Sequence, residues 1–263
     1  MIRQLTEKDR DQVLTFAGGR PAENLFILGD IEAFGIEGDA ITLWGDFNEQ
    51  GELLSILLRY LGNFIPYARD PKLLDGRGWA KVIVESSQVK HLSGLQHLVE
   101  KVIAHIDLPV LNKQLCHYAK RDPLLSIDKT LIRKDVKMLF PEEAGKIVAL
   151  RKSIFTNYSD TSSTIQKNMD KGISRTYYIE RNNEPVSSVS TVAETAGAAM
   201  IVGVCTKKEY EHQGFATSCL SKTIRALSAE HKQPCLFYDN PAAGRIYKKV
   251  GFMPIEKWMI VSY

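Results

Sequence analysis

Apolar and polar positions alternate with clear periods in the second half of the chain. Thr176 to Glu180 and Val186 to Ala193 read as strands joined by a polar turn at 181–184, which predicts a hairpin. Ala198 to Cys205 is nearly continuous in apolar residues, the pattern of a central strand. From about Gly214 to Glu230 the residues Leu220, Ile224 and Leu227 recur at helical spacing and mark one buried stripe. Cys235 to Tyr238 follows as a strand. Asn240-Pro241 then starts a helix, with Asn at the cap and Pro in the first turn. Gly251 ends that helix after Val250, and Lys257 to Val261 is a last strand. Upstream, Lys137 to Phe140 is a short strand, Pro141-Glu142-Glu143 opens a helix, and Ser163 to Asp170 forms another.

The first half carries a weaker pattern. Ile2 to Leu5 reads as a strand before a helix that starts near Glu7. Ile41 to Trp44 and Leu53 to Arg59 predict a hairpin around Asn48-Glu49-Gln50-Gly51. Val82 to Glu85 reads as a buried strand and His91 to Ile103 as a helix. The strand-plus-acidic-helix start and the hairpin recur at similar offsets in the second half. Two readings stay open for the first half: a degenerate copy of the second, or a different small α/β domain with the same strand order. The expected division is 1–130 and 131–263.

Composition narrows the class of protein. The 263 residues are 44% hydrophobic and 25% charged, enough for a full core without metal or disulfide staples. A net charge of +3 with no basic run argues against nucleic acid as a partner. No apolar run approaches membrane-spanning length, and the N-terminus has acids where a signal peptide would be apolar. The four cysteines form no CxxC pair, so no metal site is expected and a reducing cytoplasm is.

The chemistry concentrates in one segment. Ile201 to Thr206 ends a buried strand, a polar turn follows, and a helix begins at Gly214. Free N–H groups at a helix start, with the helix dipole, favour an anion such as a pyrophosphate. Gly214 lets the backbone approach closely and Ala216 keeps the next turn thin. The turn lacks the Gly-Lys-Ser/Thr of a P-loop and the three glycines of a dinucleotide fingerprint. Asp75-Gly76-Arg77-Gly78-Trp79-Ala80 also bears glycines, but it is expected to precede a strand instead of following one. The first half is therefore expected not to bind a nucleotide-like ligand.

Leu236-Phe237-Tyr238-Asp239-Asn240-Pro241 to Tyr247 and Gly251-Phe252 supply the second motif. Strand, glycine turn, long helix, strand, Asn-Pro, short helix with Tyr, then Gly-Phe resembles the GNAT acetyltransferase superfamily, firmly over 199–254 and plausibly from 137. The resemblance implies an α/β (α+β) fold with a mixed, mostly antiparallel sheet flanked by helices, preceded here by a second, smaller α/β domain.

It also implies acetyl-CoA as cosubstrate, with no metal. Backbone groups of Glu211, His212, Gln213, Gly214, Phe215, Ala216 and Thr217 would hold the pyrophosphate. Val204, Cys205 and Thr206 would pair with the pantetheine arm, and Asn240 would lie near it. Tyr247 would protonate the leaving thiolate. Glu211 departs from the family's Arg or Gln at that position and sets an acid beside a phosphate. Glu194 is the candidate base, placed to face the acceptor amine. Tyr158 and Asp160 are further candidates to touch the acceptor, and Asp239 is either a base or a turn residue. The implied reaction moves an acetyl group from acetyl-CoA to a primary amine of a small molecule or peptide by direct attack on the thioester. The alternative is a non-catalytic CoA-binding or scaffolding protein. The first half is left to shape the acceptor pocket or to supply a homodimer surface.

Overall fold

The computed structural model describes residues 1–38, 40–86, 89–156 and 158–263. The chain divides into two compact units, Met1–Tyr118 with Pro254–Tyr263, and Ala119–Met253. The architecture is mixed α/β, with a mostly antiparallel open sheet flanked by helices.

The first unit runs β1 (Ile2–Gln4), α1 (Arg10–Gly18), α2 (Leu25–Phe34), β2 (Ile41–Phe47), β3 (Leu53–Tyr60), β4 (Asn63–Ala68), α3 (Gly76–Glu85), β5 (His91–Leu95), α4 (Gln96–Ile103) and β6 (Asn112–Lys120). The hairpin expected around Gly51 is present as β2 and β3. Two expected elements change type. Val82 to Glu85 is the end of helix α3, not a strand. Its β-branched residues favour a strand locally, but Asp75 caps a helix whose Trp79, Ala80 and Ile83 face inward. His91 to Ile103 is not one helix, because His91–Leu95 pairs with the C-terminal strand and only Gln96 onward is helical.

The second unit runs β7 (Lys137–Met138), α5 (Ala144–Lys152), α6 (Ser162–Asp170), β8 (Thr176–Arg181), β9 (Glu184–Val192), β10 (Ala198–Thr206), α7 (Phe215–Ala229), β11 (Gln233–Tyr238) and α8 (Pro241–Lys249). β12 (Met253–Ser262) follows and groups with the first unit. The units differ from the expected 1–130 and 131–263 at both ends: the second begins at Ala119, and Trp258 to Ser262 ladder antiparallel onto β5, which places the C-terminal strand with the first unit. Each half of the chain therefore repeats one element order, β-α-α-β-β-β-α-β-α-β.

The second unit's strand order is β11-β10-β9-β8-β7. Its core is built by α7 lying on the sheet, with Phe215, Cys219, Leu220, Ile224 and Leu227 against Ile179, Val189, Ile201 and Leu236. The stripe read from the sequence is thus the packed face of α7. Burying a side chain such as Leu220 or Ile224, both fully buried, contributes about 2 kcal/mol each. This packing fixes the N-terminus of α7 at the end of β10.

Candidate active site

A splay in the sheet opens the site. β10 and β11 are parallel and paired only from Ala198↔Gln233 to Ile201↔Leu236. Beyond Ile201 the two strands have no further partners in each other. On the other edge, β10 pairs with β9 at Val202↔Ser190 and again at Cys205↔Ser188, with a register shift between. Gly203, at φ 61°, sits in that bulge. Backbone groups of Gly203 and Val204 are therefore released from both ladders.

The splay leads into a groove of about 560 Å³, within the roughly 300–1,000 Å³ usual for ligand sites. Val204, Cys205 and Thr206 line one wall. Glu211, His212, Gly214, Phe215, Ala216 and Thr217 close one end, and Asn240 and Tyr247 lie on the α8 side. The sequence-derived residues thus converge on one cavity, with two exceptions. Gln213 does not line the groove. Glu194 lies elsewhere altogether.

The phosphate-type end is defined by its donors. The Glu211 N–H donates to Lys208 O, and the next backbone bond is Ser218 N–H to Gly214 O. The N–H groups from His212 to Thr217 thus have no protein acceptor among the described residues. His212 at φ 61° and Gly214 at φ 77° are left-handed, so the turn curls and its N–H groups converge. Gly214 has open space around its Cβ position. Backbone conformation, not crowding, is what requires glycine there. No side chain caps α7, which leaves its positive end for an anion.

Glu211 lines this end of the groove and is exposed. Its charge opposes an anion held nearby. Glu211→Gln is expected to tighten acetyl-CoA binding by about 3- to 10-fold at low salt, and less at roughly 0.5 M salt where screening is short-ranged. Titration calorimetry at both salt concentrations checks this.

The first unit's equivalent turn is built differently. Asp75-Gly76 follows strand β4 and opens α3, so it has the strand-then-helix order that the sequence pattern alone argued against. Its N-terminus is already occupied: the Asp75 carboxylate accepts the Gly78 N–H at 2.9 Å. A Cβ at Gly76 would sit 2.3 Å from Lys101 O, so that glycine serves the packing of α3 on α4. β4 and β5 pair at Asn63 and Phe64, and beyond them Pro66 and Val99 lie close to Gly94, where a Cβ would meet them at 3.6 and 3.3 Å.

Tyr247 is 7% exposed and burial alone pushes its phenol up to about 12. Its ring is held edge-on between Tyr238, 5.5 Å away, and Phe252, 6.1 Å away. Its hydroxyl has no protein partner among the described residues, so it remains a protonated donor facing the groove. The Asn240 side chain accepts the Ala242 N–H at 2.8 Å and so starts α8, which carries Tyr247. Cys205 is a buried thiol, pushed upward by desolvation, with Ser188 Oγ 3.4 Å from its sulfur.

Glu194 was expected to be the base, and the geometry removes it from that role. It lies in the turn that precedes β10. β10 has nine residues, so at about 3.3 Å per residue this turn is roughly 25 Å from the groove end. Its carboxylate is 7% exposed and accepts from Arg175 Nε at 2.8 Å and Lys232 Nζ at 3.0 Å. The two cations hold it below the usual carboxylate range against the upward pull of burial.

Sequence reasoning missed several groove residues. Ile154 and Phe155, just past α5, line it. Tyr210, Ala242, Ala243 and Ile246 do as well. Ala243 and Ile246 share the helix face of Tyr247, so the α8 spacing held that signal. Phe155 carried none, since it follows the end of a helix.

The family model for GNAT acetyltransferases matches residues 79–261. The chain belongs to the GNAT acetyltransferase family. Solved structures agree on the fold. A GCN5-related N-acetyltransferase from Sphaerobacter thermophilus is similar at TM-score 0.65 and 13% identity, covering 100% of this chain and 95% of that one. A GCN5-related N-acetyltransferase-like protein from Streptococcus suis 89/1591 is similar at TM-score 0.56 and 15% identity, covering 97% and 98%. A GNAT-family acetyltransferase from Colwellia psychrerythraea gives TM-score 0.55 at 12% identity, covering 100% and 98%. No curated protein matches the chain. No helix among the described residues is long and apolar enough to cross a membrane. No group of three or more His, Cys, Asp or Glu residues among them is placed to hold a metal.

Proposed function

We propose that this GNAT-family chain is an acyl-CoA-dependent N-acetyltransferase that transfers acetyl from acetyl-CoA to a primary amine. The observation that carries the reading is one groove with two ends. One end has the unpaired N–H groups of His212 to Thr217, and the other has the free Tyr247 hydroxyl. The groove's residues suit the cosubstrate. Those N–H groups and the α7 dipole hold a pyrophosphate. The freed edge of Val204 to Thr206 pairs with an amide-bearing arm, and Phe155, Ala243 and Ile246 cover it.

Acetyl-CoA, when bound, supplies an activated thioester. The chain's own work is to orient it, exclude water and manage protons. N–H groups freed at the Gly203 bulge offer hydrogen bonds to an oxyanion. Tyr247 donates its proton toward sulfur. A phenol near 12 is a weak acid for a thiol that ordinarily titrates near ~8.5. Asp160, in the pocket beside the groove, is the carboxylate available near an acceptor now that Glu194 is engaged.

Calorimetry with acetyl-CoA tests the reading, together with thiol release across an amine panel. One acetyl-CoA per chain is expected, since the Asp75 cap blocks the first unit. Two sites, or none, would contradict this, and binding without amine-dependent thiol release would favour a non-catalytic binder.

A further inference from the structure

Arg151 is 3% exposed, on α5, and has no carboxylate partner among the described residues. Its Nη2 donates to Ser190 Oγ at 2.5 Å and its Nη1 lies 3.3 Å from Tyr158 Oη. Its Nε is buried with no hydrogen-bond partner. A buried cation without a counter-charge is expensive, and proteins rarely keep one without a use.

The guanidinium is well placed for one. It lines a small pocket of about 80 Å³ with Thr164, Asn168, Ser174 and Ser190, and with Asp160, which makes no ion pair with it, at the rim. Hydroxyl and amide groups around a cation suit a small anion. The pocket adjoins the groove through two chain segments. Ile154 follows Arg151 by about one helical turn and lines the groove. Gly203, next to groove-lining Val204, packs so closely that an added Cβ would meet the guanidinium at 2.4 Å. A ligand anchored at Arg151 therefore sits beside the bulge where the acyl carbon would lie.

We infer that Arg151 binds a carboxylate of the acceptor, so that the amine acetylated by this chain belongs to an amino acid. The inference rests on the acetyltransferase reading of the groove. Nη1 and Nη2 each carry a second N–H beyond the one given to Tyr158 or Ser190, and a planar carboxylate accepts from both, which a lone amine or an alcohol does not. The exposed Asp160 at the same pocket disfavours a dianion and suits a ligand with one carboxylate and one ammonium. A site built for that carboxylate rejects analogues lacking it, because Arg151 would be left buried and unpaired.

The test uses the full chain. Acetyl-CoA binding is measured first by calorimetry. Thiol release is then followed with glycine, β-alanine and a set of L-amino acids, each beside its amide, and with ethanolamine and spermidine. The expected result is kcat/KM at least about 100-fold higher for carboxylate-bearing amines than for their amides. Arg151→Met is expected to shrink that preference below about 10-fold, with Arg151→Lys intermediate because it keeps charge but loses the fork. Acetyl-CoA affinity is expected to stay within about threefold in both variants. The wild-type comparison stands even if a variant fails to fold. A panel in which other amines turn over but no carboxylate-bearing one does, or in which amides turn over as well, overturns the inference while leaving the groove reading intact, and a panel in which no amine turns over contradicts both. Absence of acetyl-CoA binding overturns both.

Discussion

Tyr247→Phe is expected to lower kcat by about 100-fold and to leave the acetyl-CoA dissociation constant within about threefold, since general acids contribute roughly 10²–10⁴. The ring stays because its packing stays: Tyr238 and Phe252 both meet it edge-on. The hydroxyl has no protein partner to lose, so the variant should melt within about 2 °C of the parent. A drop in kcat with unchanged binding is the signature of an interaction made only in the transition state. Pre-steady-state measurement of thiol release separates this step from product release. An unchanged kcat would mean that solvent protonates the thiolate and that Tyr247 is only a wall of the groove. The phenol stays protonated until about pH 12, so its ionisation should leave no mark on the rate between pH 6 and 10. Any rise across that range then belongs to the acceptor amine losing its proton.

The second unit was legible because strong punctuation marks its elements. Pro141 and Asn240-Pro241 stand at helix starts, and the alternation of 176–193 has no competing reading. Every one of those elements lies within about two residues of its expected place, the usual uncertainty of boundaries. The first unit lacks such marks. Leu25 to Phe34 is a helix buried on several sides, so no stripe reveals it. Pro66 hides β4, because proline argues against a central strand. It is tolerated because β4 pairs with β5 only at Asn63 and Phe64, leaving no ladder on that edge for it to interrupt.

The site shows the same division. Motif order placed Gly214, Asn240 and Tyr247 in one groove because each is tied to a helix end or a helix face. A catalytic base has no such tie. Glu194 was chosen for its position after a strand, and position cannot reveal that Arg175 and Lys232 meet it. Arg151 carries no signal of its own in the sequence. Its meaning depends on Gly203 and Ser190, distant in sequence and adjacent in the fold. The two units also show how one element order is kept or closed as a site. An uncapped helix start beside an open splay makes a cradle in one. In the other, Asp75 caps the helix start, and Pro66 and Val99 pack near Gly94.

Glu194→Gln is expected to destabilise the protein by about 2–4 kcal/mol while leaving kcat/KM within about threefold, because removing one member of a buried ion pair strands its partners. Arg175 and Lys232 both reach the Glu194 carboxylate, and both also meet Glu230. Glu230 stays behind in the variant as a partner for both cations, which keeps the loss toward the lower end. The sign with pH follows from the carboxylates. Both are held below the ordinary value of 4.5, Glu230 to about 2. Each therefore binds its proton more weakly folded than unfolded. Their contribution is complete above about pH 5 and falls away as pH drops from there toward 2. The parent should lose stability steeply over that range, and Glu194→Gln should show a shallower acid limb because one of the two groups is gone. Urea unfolding at a series of pH values, read beside thiol release at neutral pH, separates the outcomes. Loss of activity in a variant that remains folded would return Glu194 to the catalytic site. Loss of stability alone makes it the ion-pair anchor of the turn that leads into β10.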